Sequence, residues 1–310
     1  MATVIDVAKV IYQVPDLALM EKTLTQFGLI TAERTDDALY MRGTGAQHHI
    51  HETRKGPEAR FIGAVFEVAS REELDELAGF PGSSGVEPNT DPGGGWQVRM
   101  TMPDGFQINA IWGRERAEPI QTRASHPFNA ADNKERVNGN IRVKRSPCQV
   151  MRLGHFVLHV SSHDESVRWL QDRFGLLPSD YFLPPGEDGP IIGTFLRANQ
   201  GEKPVDHHCM LVLQAEHVNV HHCSFEVQDV DAIMTAHDYL EAEGWQLDCG
   251  VGRHLLGSQI FDYWKDPFGF RIEHYTDGDV VDASYKPSRF NGTASQTTQW
   301  GMEPPLEFFM

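Results

Sequence analysis

One unit recurs in this chain, and that recurrence restricts its folds more than any single motif does. "FIGAVFEVASREELDELAGF" starts at Phe61, and its segment closes with "VRMTMPDGFQINAIWG" at Gly113. "HHCSFEVQDVDAIMTAHDYL" starts at His221, and its segment closes with "FDYWKDPFGFRIEHYTDG" at Gly278. Each reads as a strand, a helix and then strands around a Pro-Asp-Gly or Pro-Phe-Gly turn. A second pair aligns as well. "VAKVIYQVPDLALMEKTLTQFGL" (7–29) echoes "LGHFVLHVSSHDESVRWLQDRFGL" (153–176), each a strand, a loop and an amphipathic helix ending before Gly. Trp169, Leu170 and Phe174 fall on the packed side of the second helix.

The expected architecture is therefore α+β, with four repeated β-α-β-β-β modules paired into two domains. The first domain spans 1–130 and the second 145–280. The polar stretch 114–140 has little regular pattern, and the linker is set at 131–144. Residues 281–310, rich in Ser, Thr, Gly, Asn and Pro, read as an irregular tail, a candidate lid or subunit interface. A chain of 310 residues suits two cores of about 150 residues each.

The formal net charge of −17 argues against a nucleic-acid groove or an anionic membrane surface as partner. The N-terminus lacks a basic region followed by a long apolar run, and no stretch approaches a membrane span. Cys148, Cys209, Cys223 and Cys249 form no CxxC pair. Cytoplasmic residence with free thiols is the expectation.

The repeat supplies an internal control for chemistry. His155 lies in the first strand of the third module, His222 in the first strand of the fourth and Glu273 in its last strand. Their counterparts in the first half are Lys9, Gly63 and Asn109, none of which keeps the ligand type. Two neutral imidazoles and a carboxylate on one face of a curved sheet can fill three adjacent coordination positions and leave the others open. That is the facial arrangement of non-heme Fe(II) oxygenases, and Mn(II) accepts the same donors. Because the chain has 15 histidines, each alone is more simply a structural or surface residue. The dense "HHIHE" (48–52) lacks a third ligand in a later equivalent strand and reads as a polar edge or domain contact. His159, His163, His217, His237 and His274 are assigned to the surface. On a regular strand His221 points away from His222.

Three more residues suit work on an aromatic diol. His208 and His254 can move a proton near neutral pH, and the Tyr263 hydroxyl can hold a substrate oxygen. Phe182 and Phe195 are candidates for one wall, with core packing as the alternative.

The blocks "GHFVLHV", "DHHCMLVL", "HHCSFEV" and "GRHLLGSQIFDYWKDPFGFRIEHY" resemble the type I extradiol ring-cleaving dioxygenases of the vicinal oxygen chelate superfamily. His254 and Tyr263 precede Glu273 by 19 and 10 residues, as in that family. The resemblance covers most of 1–280. It implies His155, His222 and Glu273 as iron ligands, His208 as acid/base, and His254 and Tyr263 at the substrate oxygens. It also implies a metal-free first domain, O2 and a catecholic small molecule as substrates, cleavage beside the diol and a homo-oligomer. No NAD, flavin or heme is expected. After Gly-Arg-His the family commonly continues with polar residues. Here Leu255-Leu256-Gly257-Ser258 follows, a departure that bears on the pocket and not on the ligands. The alternatives are another metal-dependent enzyme on this scaffold (an isomerase, lyase or thiol transferase) and a small-molecule binding protein.

Overall fold

The computed structural model describes residues 1–186 and 188–309. Four β-α-β-β-β modules follow one another along the chain. The first comprises β1 (Val4–Val14), α1 (Leu17–Phe27), β2 (Ile30–Arg34), β3 (Ala38–Arg42) and β4 (His51–Lys55). The second comprises β5 (Arg60–Val68), α2 (Arg71–Ala78), β6 (Glu87–Pro88), β7 (Trp96–Val98) and β8 (Gln107–Trp112). The third comprises β9 (Val150–Val160), α3 (His163–Phe174), β10 (Leu177–Phe182), β11 (Gly193–Arg197), a short β12 (Val205–Asp206) and β13 (Met210–Gln214). The fourth comprises β14 (Asn219–Val227), α4 (Val230–Ala242), β15 (Gln246–His254), β16 (Ile260–Lys265) and β17 (Arg271–Thr276).

Local chemistry sets the helix ends. The Asp16 carboxylate caps α1 by accepting from Ala18 N and Leu19 N, and Gly28 closes it at φ 111°. Ser70 and Asp229 cap α2 and α4 in the same way.

The first two modules build one sheet in the order β2-β3-β4-β1-β5-β8-β7-β6. The last two build a second sheet whose centre, β13-β9-β14-β17-β16, repeats that order. Parallel and antiparallel neighbours mix in both. Helix-facing residues of the two sheets merge into one apolar core, where Phe66 packs on Phe156 and Phe174. Leu170 and Phe174 are fully buried, and Trp169 packs against them from the edge. Residues 113–149 form neither helix nor strand beyond a single Gln47–Arg116 bridge.

The segment after 280 carries more regular structure than its composition suggests. β18 (Val280–Val281) pairs with β12, while β19 (Ser288–Phe290) and β20 (Thr298–Gly301) extend the two edges of the second sheet. A 3-10 turn at Leu306–Phe309 then crosses the open face of that sheet. Small polar residues can supply edge strands because one row of backbone hydrogen bonds is enough to hold them.

Candidate metal centre and surrounding cavity

His155 lies on β9, His222 on β14 and Glu273 on β17, three neighbouring strands at the centre of the second sheet. In register, Ser224 faces both His155 and Glu273 across its two strand pairings. This brings the three side chains to one point. His155 Nε2 and His222 Nε2 are 3.3 Å apart, and each is 3.3 Å from Glu273 Oε2. Among the described residues it is the one such cluster of three or more His, Cys, Asp and Glu donors.

These donors fit a divalent ion. Three ligands at right angles, each ~2.1 Å from an ion, stand about 3.0 Å apart. The observed triangle is slightly wider. Glu273 is fully buried, and neither of its oxygens accepts a hydrogen bond from the described residues. A buried carboxylate without such partners is costly unless a cation compensates it. Burial pushes the Glu273 carboxyl up, but the imidazoles of His155, His222 and His254 outweigh that and hold it well below its ordinary range. Burial drives the His222 imidazole down to about 4, so near neutral pH it is a neutral ligand.

His155, His222, His208, His254 and Tyr263 all line one cavity of about 40 Å³, with Glu273 beneath it. The space holds two or three waters and is too small for an aromatic ring. Phe182, Phe195, Leu211 and Leu256 form apolar walls, and Thr297 and Phe309 reach in from the C-terminal segment. Leu256 thus makes the departure in "GRHLLGS" a wall of the pocket.

The His208 ring sits 4.2 Å from that of His155 and 4.8 Å from that of Phe195. Burial, then the neighbouring histidines, pushes the His208 imidazole well below its ordinary range, leaving it neutral. Its Nδ1 lies 3.1 Å from Nδ1 of His207, whose Nε2 lies 2.8 Å from Asp180 Oδ2. Asp180 Oδ1 in turn accepts from the amide and hydroxyl of Ser288. His207 Nε2–H donates to Asp180, so His207 Nδ1 accepts from His208, whose Nε2 is left with its lone pair. On the opposite wall Tyr263 stands beside Glu273 in register, and its hydroxyl is 2.8 Å from His254 Nε2. Burial and Glu273 raise the phenol well above its ordinary range, so it stays protonated.

The first half holds a different cluster, in which only Lys9 occupies a strand position matched to a ligand; Glu52 lies on β4 and Asp91 in the loop between β6 and β7. Ile11 pairs with Gly63 as Val157 pairs with His222, and Val65 with Asn109 as Ser224 with Glu273. The Lys9 ammonium lies 2.5 Å from both Glu52 Oε2 and Asp91 Oδ2, at 2 % exposure. Asn109 accepts the Met100 amide.

Several sequence readings need correction. "HHIHE" is not a polar edge: His49, His51 and Glu52 are buried inside the first sheet. His159, His163 and His274 are buried rather than on the surface. His163 bonds Thr194, and His274 bonds the Phe27 carbonyl across the two halves. His237 is half-buried against Asp262. His221 does not face away from His222. A β-bulge separates the pairs Val220–Leu158 and His222–Val157, so His221 and His222 together oppose one residue of β9. The two Nδ1 atoms lie 2.6 Å apart. The roles of Asp180, His207 and Phe309 were missed, because they come from contacts between distant segments.

Residues 152–274 match the Glyoxalase/Bleomycin resistance protein/Dioxygenase superfamily. Metapyrocatechase 2 of Cupriavidus necator is 27% identical over 96% of this chain and 89% of its own length. A manganese-dependent 2,3-dihydroxybiphenyl 1,2-dioxygenase of Geobacillus genomosp. 3 is 22% identical over 84% of this chain and 81% of its own. Among solved structures, the Mn(II)-bound glyoxalase of Novosphingobium aromaticivorans superposes with a TM-score of 0.81 at 22% identity, covering 98% of this chain and 94% of that one. Homoprotocatechuate 2,3-dioxygenase of Arthrobacter globiformis gives 0.81 at 21% identity, covering 100% and 91%. The structural likenesses establish a shared fold. The family match itself lies within the second half of the chain, on the modules that carry His155, His222 and Glu273.

Proposed function

We propose that the protein is a type I extradiol ring-cleaving dioxygenase that opens a catechol-type diol with O2 and places both oxygen atoms in the product. One observation carries this reading: the His155–His222–Glu273 triangle opens into the same apolar cavity as His208 and the His254–Tyr263 pair. The sequence relatives named metapyrocatechase 2 and manganese-dependent 2,3-dihydroxybiphenyl 1,2-dioxygenase support it.

His155, His222 and Glu273 would hold Fe(II), or Mn(II) as the alternative. The ion supplies adjacent positions for the two diol oxygens and for O2, and a path for electrons between them. The side chains supply the rest. Tyr263 donates to one diol oxygen and fixes which oxygen keeps its proton. His254, the more exposed of the pair, takes the proton that the other loses. His208 presents an unprotonated Nε2 to the cavity, takes up a proton there and returns it as the ring opens. Phe182, Phe195 and Leu256 hold the ring flat and keep water out. Cleavage beside the diol is the expected regiochemistry.

Residues 145–280 serve as the catalytic domain, 1–130 as the non-catalytic one and 131–144 as the linker. Phe309 closes a cavity too small for substrate, which supports a lid role for the tail. The protein acts as a homo-oligomer. Among the described residues no helix is long and apolar enough to cross a membrane, and cytoplasmic residence is proposed.

Anaerobic loading with Fe(II), followed by oxygen uptake across a panel of catechols, tests the reading. One O2 consumed per diol, with a product heavier by both atoms, is expected. Stoichiometric Fe(II) with no diol consuming O2 overturns it.

A further inference from the structure

The bulge in β14 has a chemical consequence beyond the placement of His222. His221, at 4 % exposure, links that residue to the C-terminal segment. Its Nδ1 is 2.6 Å from His222 Nδ1, and its Nε2 is 2.6 Å from the Phe308 carbonyl oxygen. The Phe308 and Phe309 rings pack on its imidazole, Phe309 stacked at 17°. Arg271 Nη1 lies 2.6 Å from His221 Nε2 and 3.2 Å from the Phe308 oxygen, with its guanidinium 4.0 Å over the Phe308 ring. In the first half the bulged position is Ile62, which packs in a small apolar cluster.

The protons in this chain of contacts cannot be arranged freely. A metal on His222 Nε2 leaves the proton of that neutral ring on Nδ1. Room for one proton at 2.6 Å makes His221 Nδ1 the acceptor. His221 then carries its own proton on Nε2 and donates to the Phe308 carbonyl, and Arg271 Nη1, 2.6 Å from that nitrogen, must turn from it to donate to the same oxygen. With the opposite tautomer, His221 Nε2 accepts from Arg271 and turns a lone pair toward the Phe308 oxygen. The first arrangement gives the Phe308 oxygen two donors, His221 and Arg271; the second leaves it Arg271 alone, at 3.2 Å.

We propose that His221 is a positioning residue that couples docking of the Leu306–Phe309 turn to metal retention at His222. The inference rests on the metal-site reading above. Coupling of two binding equilibria is reciprocal. The turn must tighten metal binding, and the metal must hold the turn, by one common factor. Loss of an outer partner of a metal-bound histidine typically costs 10–100-fold in affinity.

The test uses the full chain loaded with Fe(II) under anaerobic conditions. Two quantities are measured: transfer of iron to an excess chelator, and amide exchange at 306–309 with and without metal. Three variants follow: truncation after Pro304, His221→Phe and His221→Asn. Truncation and His221→Phe are expected to raise metal loss 10–100-fold. Asn, which keeps an acceptor at the Nδ1 position, restores much of the retention. Metal slows exchange at 306–309 in the parent protein, by the same factor, and not in His221→Phe, where the turn still packs. Should His221→Phe fail to fold, the truncation and the parent's exchange carry the test. Metal loss within twofold of the parent after truncation, or exchange indifferent to metal, overturns the coupling while leaving the metal site standing. A parent protein that takes up no divalent ion overturns both.

Discussion

The two halves of this molecule answer the same structural question with opposite chemistry. Each places a polar cluster on its sheet, and Lys9 in the first stands at the register position of His155 in the second. In the first half the cations are covalent: the Lys9 ammonium, with Arg54 on the other oxygen of Glu52, neutralises Glu52 and Asp91 within the fold. In the second half the carboxylate of Glu273 meets the imidazoles of His155 and His222, and among the described residues no Lys or Arg pairs with it. A sheet that satisfies its own buried charge is finished on folding. One that does not is poised to take up an ion. The duplicated scaffold thus separates what holds the fold from what performs the reaction.

The largest expected effect comes from removing that imbalance. Glu273→Gln should lower metal affinity by more than the roughly 100-fold typical of losing an outer partner and abolish turnover. Asn109→Ala, the matched change in the first half, should leave metal content unchanged. Metal analysis with oxygen uptake reads both. Equal effects would erase the distinction between the halves.

Next is the proton-handling wall. His208→Phe should keep iron bound and lower kcat on the order of 10²–10⁴-fold, whereas His49→Phe in the first half should leave kcat intact. Asp180→Asn should lower kcat with little change in KM, because the amide no longer enforces the His207 and His208 tautomers. Steady-state oxygen consumption checks each.

Breaking the covalent cation tests the other half. Lys9→Met strands Asp91, leaves Glu52 with Arg54 alone, and should cost about 3 kcal/mol of folding stability, with iron content unaffected. Urea unfolding measures the first and metal analysis the second.

The last effect is nil at neutral pH, grows only with acidity, and sharpens the comparison with pH. Burial pushes the His51 imidazole down to about 3, against an ordinary value of about 6.5. The unfolded chain therefore gains a proton below pH ~6.5 that the folded chain refuses. The stability this neutral ring provides is full above ~6.5 and falls with acidity by up to ~1.4 kcal/mol per pH unit until about pH 3. His51→Phe should flatten the acid limb of the unfolding curve by that increment. An unchanged slope would mean that His51 does not titrate between the two states.

Much of this was legible because the repeat made the sequence its own reference. His155, His222 and Glu273 stood out against Lys9, Gly63 and Asn109, and the observed register pairs those positions. A further signal was present and unused. His48-His49 precede His207-His208 by 159 residues, the interval that separates Phe66 from Phe225. "HHIHE" is therefore the first-half copy of the block holding His208, which explains its burial. The bulge at His221 was not legible, since one extra residue in a strand leaves composition and alternation almost unchanged while re-aiming a side chain. Nor was the Asp180–His207 contact, which joins strands whose spacing is set by loops of unequal length. Composition also misled on the C-terminal segment, whose edge strands need backbone pairing rather than apolar side chains.

Gly63 sets a limit on engineering. A Cβ built there would start 1.8 Å from the Gln107 carbonyl oxygen, a backbone atom that cannot turn aside as a side chain would. Planting a second metal centre by copying three residues into the first half would therefore fail at this residue, however well Lys9→His and Asn109→Glu were accommodated. β5 and β8 would first have to be pried apart. For a designer the duplication is a one-way door: the working half can be emptied by single substitutions, but the silent half cannot be switched on by them.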